Sequence, residues 1–144
     1  MSEGFDKMAL MSITLLQPDG LVRSPAFSHV AIVPPGSTTV YLGGQNGVDE
    51  TGAIVSDDIA DQSVRALENA VVALKAAGAT LEDVIQWNIL FDERADVRAA
   101  YGAIAGRLAR DGAPPLVTAA KVAGLGVPGA LVEISGVAAV CRES

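Results

Sequence analysis

The sequence predicts one α+β domain in which a mixed β-sheet carries two helices on one face. Two segments place apolar residues at helical spacing, and short β-branched or continuously apolar runs alternate with them. The length of 144 residues suits a single domain, because two domains would each be too small for a well-filled core. We expect residues 1–11 to be a weakly ordered lead-in and residues 12–144 to form the domain.

Short strands are predicted in the first third of the chain. Residues 12–16 are followed by a strong turn signal, Pro18-Asp19-Gly20. Residues 29–33 and 38–42 are rich in β-branched side chains, and the connector Pro34-Pro35-Gly36 lies between them. This arrangement favours a hairpin of the second and third strands.

The clearest helix is predicted over residues 57–77. Small and apolar residues recur there at helical spacing and form one stripe. Asp57 or Asp58 can cap its first turn, where the helix dipole favours an acid. Gly78 is expected to end the helix.

The rest of the chain predicts a strand, a second helix and two closing strands. The strand covers residues 84–91, and the helix runs from about 93 to 110, where Pro114-Pro115 prevents its continuation. Residues 116–123 and 130–140 lack polar alternation, as do strands that are buried on both faces. Two helices can cover only one face of the sheet, so we expect other copies of the chain to cover the opposite face.

Composition argues against several classes of protein. A net charge of −7 without a basic patch is unsuited to binding nucleic acid or anionic membrane surfaces. No apolar run approaches the ~20 residues that span a bilayer. The single histidine, His29, and the single cysteine, Cys141, argue against a metal site or a Cys/His nucleophile within one chain. No signal peptide is recognisable and an internal disulfide is impossible, so a cytoplasmic protein is expected.

Few side chains remain that can perform chemistry. Glu133 lies within the last apolar strand, where a carboxylate is either a pocket acid or base or one half of an ion pair across an interface. Lys121 can pair with Glu133, meet an anionic ligand, or lie at a solvated strand end. Gln45 follows Gly43-Gly44 at a strand end, where its amide reaches a pocket or caps the turn.

Several short runs occur in a distinctive order. They are Val40-Tyr41-Leu42-Gly43-Gly44-Gln45, Thr51-Gly52, Asp58-Ile59-Ala60-Asp61-Gln62, Leu67-Glu68-Asn69 and Leu131-Val132-Glu133-Ile134. Their order and spacing resemble the reactive-intermediate deaminase (Rid or YjgF) family over about residues 24–140. The resemblance implies a chorismate-mutase-like fold and a homotrimer whose sheets form a central barrel. It also implies small-molecule pockets between subunits and hydrolysis of reactive enamines and imines, such as 2-aminoacrylate, without a cofactor.

The sequence departs from the family pattern at the implied site. Deaminating members hold the substrate carboxylate with an arginine, where this chain has Val117, followed by Thr118. Glu133 matches the glutamate that acts with the water. The other matched positions are Phe27 for a tyrosine, Gly43 for a serine, Arg98 for an asparagine, and the retained Gly44 and Gln45.

The missing arginine should change specificity. A guanidinium contacts a carboxylate through two hydrogen bonds and valine offers none, so ordinary 2-imino acids should bind about two or more orders of magnitude more weakly. We hypothesise that Lys121 or Arg98 supplies a displaced positive charge. Two functions are expected as alternatives: a cofactor-independent deaminase of altered specificity that uses Glu133, or a non-catalytic trimer that binds a small metabolite. The acidic net charge argues against an RNA-cleaving role.

Overall fold

A computed structural model describes residues 12–141 of the chain, so the predicted lead-in of residues 1–11 lies outside the described residues. Within that range the chain forms six strands and two α-helices, and a short 3₁₀ turn, Leu81–Asp83, precedes the fourth strand. The elements are β1 (Thr14–Leu16), β2 (Val30–Ile32), β3 (Thr38–Gln45), α1 (Ile59–Ala76), β4 (Val84–Asp92), α2 (Val97–Leu108), β5 (Leu116–Val122) and β6 (Val132–Val140).

Four of the strands form one mixed sheet in the order β3-β6-β4-β5. β6 is antiparallel to both β3 and β4, whereas β4 and β5 are parallel. The parallel pair requires a crossover connection, and α2 supplies it. The predicted α+β architecture of two helices on a mixed sheet is confirmed.

The predicted hairpin of residues 29–33 and 38–42 is wrong. β2 pairs with β1 in a separate two-stranded sheet, and β3 pairs with β6. The Pro34-Pro35-Gly36 turn is present, with Gly36 at φ 83°, but it joins strands of two different sheets. A turn motif specifies that the chain reverses direction, and long-range contacts select the partner of each strand.

α1 begins and ends close to the predicted bounds. The Asp58 carboxylate accepts a hydrogen bond from the Asp61 backbone N–H at 3.1 Å, so Asp58 is the N-cap. Gly78, at φ 77°, follows the last turn and donates to the Lys75 carbonyl. The helix packs against α2, β3 and β6, and seven of its residues are buried. These are Ile59, Gln62, Ser63, Ala66, Leu67, Ala70 and Leu74.

α2 is shorter than predicted at both ends. The Asp96 carboxylate caps it by accepting from the Ala99 backbone N–H at 3.1 Å. The preceding residues form a separate turn, closed by the Ala95 N–H on the Asp92 carbonyl at 2.9 Å. α2 packs against α1 and buries Ala100 and Ile104.

The two faces of the sheet differ in their cover. The face beneath the helices holds the core, including Leu42, Trp87, Ile89, Phe91 and Ile134. On the opposite face, which we call the open face, Tyr41 of β3 is 80% exposed. β5 is an edge strand and mostly exposed in the single chain, so it is not buried on both faces there. Neither α-helix of residues 12–141 is long and apolar enough to cross a membrane.

Candidate functional site

Glu133 lies on the open face of the sheet, directly against Gly44. It stands opposite Leu90 of β4 and is partly buried. A Cβ atom built on Gly44 would lie 2.7 Å from both Cδ and Oε2 of Glu133, so a side chain at that position would displace the carboxylate. Among residues 12–141, Glu133 has no ion pair or hydrogen bond. The site therefore holds a half-buried carboxylate without a counter-charge among residues 12–141.

An irregularity in β3 brings Gly44 to Glu133. The pairing of β3 with β6 shifts register between Leu42 and Gln45, which is typical of a β-bulge. After the shift, Gln45 pairs with the core residue Ile134 and so lies on the helix-covered side, opposite to Glu133. The Gln45 side-chain amide donates to the Gly43 carbonyl at 3.2 Å. Gln45 also borders a shallow pocket beside α1 with Arg65 and Asn69, so the structure fits both the turn-capping and the pocket interpretation of its amide.

Asn46, which the sequence pattern does not single out, holds the end of β3 in place. It is buried, and its Nδ2 donates to the Val132 carbonyl at 2.9 Å, one residue before Glu133. Nδ2 of Asn69 on α1 in turn donates to the carbonyls of Asn46 at 3.0 Å and Val48 at 2.9 Å. The end of β3 is thereby held to both β6 and α1. In the sequence, an asparagine after Gly-Gly-Gln indicates only a turn.

A groove of about 580 Å³ lies on the helix-covered side of the sheet. It is bordered by α2, the strands β4 and β5, and the segments 25–27 and 109–115. Phe27 and Val117, which were both predicted to bind substrate, line it together. Its other large apolar or aromatic contributors are Trp87, Ile89, Tyr101 and Leu108.

Arg110 is the charged side chain that lines this groove. Its Nη1 donates to the carbonyls of Val84 at 2.9 Å, Glu82 at 3.1 Å and Leu81 at 3.3 Å. Burial lowers the pKa of Arg110, an effect that the nearby carboxylates of Glu82 and Asp83 oppose. Neither carboxylate forms an ion pair with it, and no other described residue does. From the sequence, residue 110 is predicted only as the last residue of a helix, a position that gives no signal for a groove-lining cation.

Three other predicted site residues lie away from Glu133 and do not line the groove. Lys121 is exposed, and its Nζ is 3.5 Å from the Glu93 carbonyl. It shares the helix-covered side with Val117, so it does not pair with Glu133. Arg98 is exposed on α2 and does not line the groove. Thr118 is exposed and lies on the open face, in register with Asn88.

The contacts of His29 are those expected of a structural residue. Its Nε2 is 2.7 Å from the Val22 carbonyl, and its ring meets Phe27 edge-on with centroids 5.6 Å apart. Residues 12–141 contain no group of His, Cys, Asp and Glu side chains that could hold a metal ion. The predicted site residues thus form two groups within one chain: Gly44 with Glu133 on the open face, and Phe27 with Val117 in the groove.

The fold and these two groups define a class of small α+β proteins with one helix-covered and one open sheet face. The sequence model of the family described as Endoribonuclease L-PSP matches residues 22–140. The chain belongs to this family, which includes the Rid, YjgF and RutC proteins.

Solved structures and curated relatives agree with this assignment. The Rid-family protein YyfB from Yersinia pestis superposes with a TM-score of 0.76 at 23% identity, covering 90% of this chain and 100% of that one. RidA from an Antarctic Psychrobacter species has a TM-score of 0.63 at 27% identity, covering 71% and 80% of the two chains. A RutC family protein of Pyrococcus abyssi is 38% identical over 58 residues, 40% of this chain and 46% of that protein. The chain thus spans about half the length of the curated relatives it matches.

Proposed function

We propose that this protein is a hydrolase that deaminates a reactive enamine or imine at pockets between the subunits of a homotrimer. The observation that carries the proposal is the half-buried Glu133 carboxylate, which lies against Gly44 without a counter-charge among the described residues. Such a carboxylate is suited to accept a proton. Glu133 also matches the position of the glutamate that the Rid family uses to act with water.

The proposed reaction needs only water and one carboxylate. An enamine substrate first takes a proton from solvent on its carbon and becomes the iminium ion. Glu133 accepts a proton from water as the water oxygen bonds to the iminium carbon, which yields a neutral carbinolamine. The protonated Glu133 then gives that proton to the nitrogen, the carbon–nitrogen bond breaks as the hydroxyl group loses its proton to solvent, and ammonia leaves a carbonyl product. The proton taken from solvent in the first step returns to solvent in the last, so atoms and charge balance without a redox partner.

Two features support a site between subunits. Within one chain, Glu133 and Gly44 lie on the open face, whereas Phe27 and Val117 lie on the helix-covered side. A second copy whose exposed β5 edge meets the open face would bring the two groups towards each other. β5 is an exposed edge strand, and such edges favour further association.

A non-catalytic metabolite-binding trimer is the second candidate. Val117 favours it, because the family's substrate-holding arginine is absent there. An endoribonuclease activity, which the family description names, finds little support in a chain of net charge −7.

Ammonia release from freshly generated 2-aminoacrylate and from bulkier imino acids tests the proposal. We expect wild type to turn over a bulkier imino acid and Glu133→Gln to lose about 10²-fold or more in kcat, because a general base contributes about that factor. Glu68→Gln, an exposed acid-to-amide change on α1, is the matched control and should keep full activity.

Two outcomes would contradict the proposal. Full turnover by Glu133→Gln would exclude Glu133 as the base. A wild type silent on every substrate, with activity gained by Val117→Arg, would support the non-catalytic alternative on an intact scaffold.

A further inference from the structure

We propose that the groove on the helix-covered side binds an apolar carboxylic acid, with Arg110 contacting the carboxylate and Phe27, Trp87 and Val117 enclosing the apolar body. The inference rests on the proposed function and deepens it, because Phe27 and Val117 belong to the group that a second subunit would bring towards Glu133. Its new element is Arg110 as the residue that binds the carboxylate, and ligand binding to the groove is measured apart from turnover.

The size and lining of the groove favour a ring-sized apolar body. A volume of about 580 Å³ lies in the usual range for small-molecule sites, roughly 300–1,000 Å³. Three aromatic residues border it, Phe27, Trp87 and Tyr101, and Tyr101 meets the core ring of Phe91 at a centroid distance of 5.8 Å. Val117 lines the groove where the family's substrate-holding arginine would stand, so no cation occupies that part of its wall.

The polar side chains of the groove favour a ligand that accepts hydrogen bonds. The lining side chains that carry polar atoms are Trp87, Tyr101 and Arg110, and within residues 12–141 none that lines the groove is acidic. The Trp87 indole donates only, the Arg110 guanidinium donates only, and the Tyr101 hydroxyl does both. The indole N–H has no hydrogen-bond partner among the described residues. A carboxylate supplies the acceptors that this set lacks.

Arg110 provides the charge for that carboxylate. Its Nη1 and Nε donate to backbone carbonyls, including Val84 at 2.9 Å and Ala113 at 3.4 Å, which hold the guanidinium in place. Its Nη2 has no partner among the described residues, and no described carboxylate forms an ion pair with Arg110. A half-buried cation without an ion pair gains from an anionic ligand, and charge-assisted bonds to a guanidinium are among the stronger ones. Arg110 thereby takes the role hypothesised for Lys121 or Arg98.

The single tryptophan makes the test direct, because Trp87 lines the groove and gives one indole N–H signal in a proton–nitrogen correlation spectrum. Phenylacetate, neutral 2-phenylethanol and cationic 2-phenylethylamine, titrated separately into the full chain, share one ring and differ in charge. We expect phenylacetate to shift the Trp87 signal and to bind about tenfold or more tightly than the other two. The net charge of −7 repels anions, so a preference for the anion must arise locally.

Matched variants test whether Arg110 is the residue whose positive charge binds the ligand. Arg110→Gln should lower phenylacetate affinity to that of 2-phenylethanol, whereas Arg107→Gln removes the same charge from an exposed site on α2 and should change it by less than about twofold. Ala105→Phe fills the groove from an exposed helix position and should abolish binding, while Ala76→Phe on α1 should not.

Three results would overturn the inference. They are no Trp87 shift with phenylacetate, equal affinity for phenylacetate and 2-phenylethanol, or equal losses in Arg110→Gln and Arg107→Gln. If Arg110→Gln proves unfolded in its ligand-free spectrum, the charge series on wild type and the Ala105→Phe and Ala76→Phe pair still decide the question. Failure here leaves the ammonia assay untouched, because that assay depends on Glu133.

Discussion

At the scale of single residues, the approach of Gly44 to Glu133 determines where the candidate catalytic carboxylate lies. Because of the bulge in β3, a side chain at position 44 would point to the open face, towards Glu133. Gly44 has no Cβ atom, which leaves room for the carboxylate. Asn46 fixes the end of β3 to β6 through the Val132 carbonyl. A glycine and a buried amide thus orient a side chain that neither of them hydrogen-bonds.

Replacing Gly44 by alanine should lower the activity of the protein while leaving its stability almost unchanged. The added methyl group would meet Cδ and Oε2 of Glu133 at 2.7 Å, and the end of that flexible side chain can rotate away. We expect ammonia release to fall by about tenfold or more, while the free energy of unfolding changes by no more than about 1 kcal/mol.

Gly124→Ala, in the loop before β6, is the matched control, since a Cβ atom there has no neighbour within 4 Å and the residue does not have a positive φ. Its activity and its urea-denaturation midpoint should equal those of wild type. Undiminished turnover by Gly44→Ala would show that the position of the Glu133 carboxylate does not matter for the reaction.

At the scale of elements, α1 is joined to the sheet by polar as well as apolar contacts. Gln62 is 0% exposed, and its Nε2 donates to the carbonyls of Ser56 at 2.9 Å and Gly129 at 3.1 Å. Its Oε1 accepts from the Leu131 N–H at 2.8 Å. One side chain therefore connects the helix, the loop before it and the entry to β6, two residues before Glu133.

Gln62→Ala should be strongly destabilising. It removes the partners of three backbone groups and leaves a cavity, and each unsatisfied buried group costs about 1–3 kcal/mol. We expect a loss of about 3–5 kcal/mol in the free energy of unfolding, measured by urea denaturation. Val64→Ala, an exposed position two residues after Gln62 on α1, should cost less than about 1 kcal/mol. Similar losses for the two variants would mean that the Gln62 hydrogen bonds contribute little.

At the scale of the whole molecule, we propose the open face as the surface through which a trimer would form. Tyr41 projects from it with 80% exposure, beside partly buried residues of β6 such as Ser135 and Val137. Large exposed aromatic side chains on an otherwise ordered sheet are typical of subunit interfaces.

Tyr41→Asp should dissociate the proposed trimer. Light scattering after size exclusion should give wild type a mass about three times the 14.7 kDa of the chain and shift the variant towards the monomer, because a buried unpaired charge is costly. Val72→Asp, on α1 with 69% exposure, introduces the same charge elsewhere and should leave the trimer intact. A monomeric wild type, or a trimeric Tyr41→Asp, would exclude the open face as the interface.

Local pattern was sufficient for much of this protein. The stripe of α1, its Asp58 cap and its Gly78 end follow from contacts within a few residues, which is why the sequence alone locates them. The alternation of strands and helices likewise indicates the α+β class. A carboxylate inside an apolar strand marks Glu133 as exceptional, because burying a charge is costly wherever the strand lies.

Only the tertiary structure decided which residues meet. Strand pairing depends on contacts far apart in sequence, so the turn at Gly36 could not tell that β3 pairs with β6 rather than β2. The register shift that turns Gln45 away from Glu133 is equally non-local. α2 ends at Leu108, two residues before its predicted end, so Arg110 lies beyond the helix. Its place in the groove depends on hydrogen bonds to three backbone carbonyls that are distant in sequence. Periodicity reports the face of a single element, whereas a site requires the packing of several.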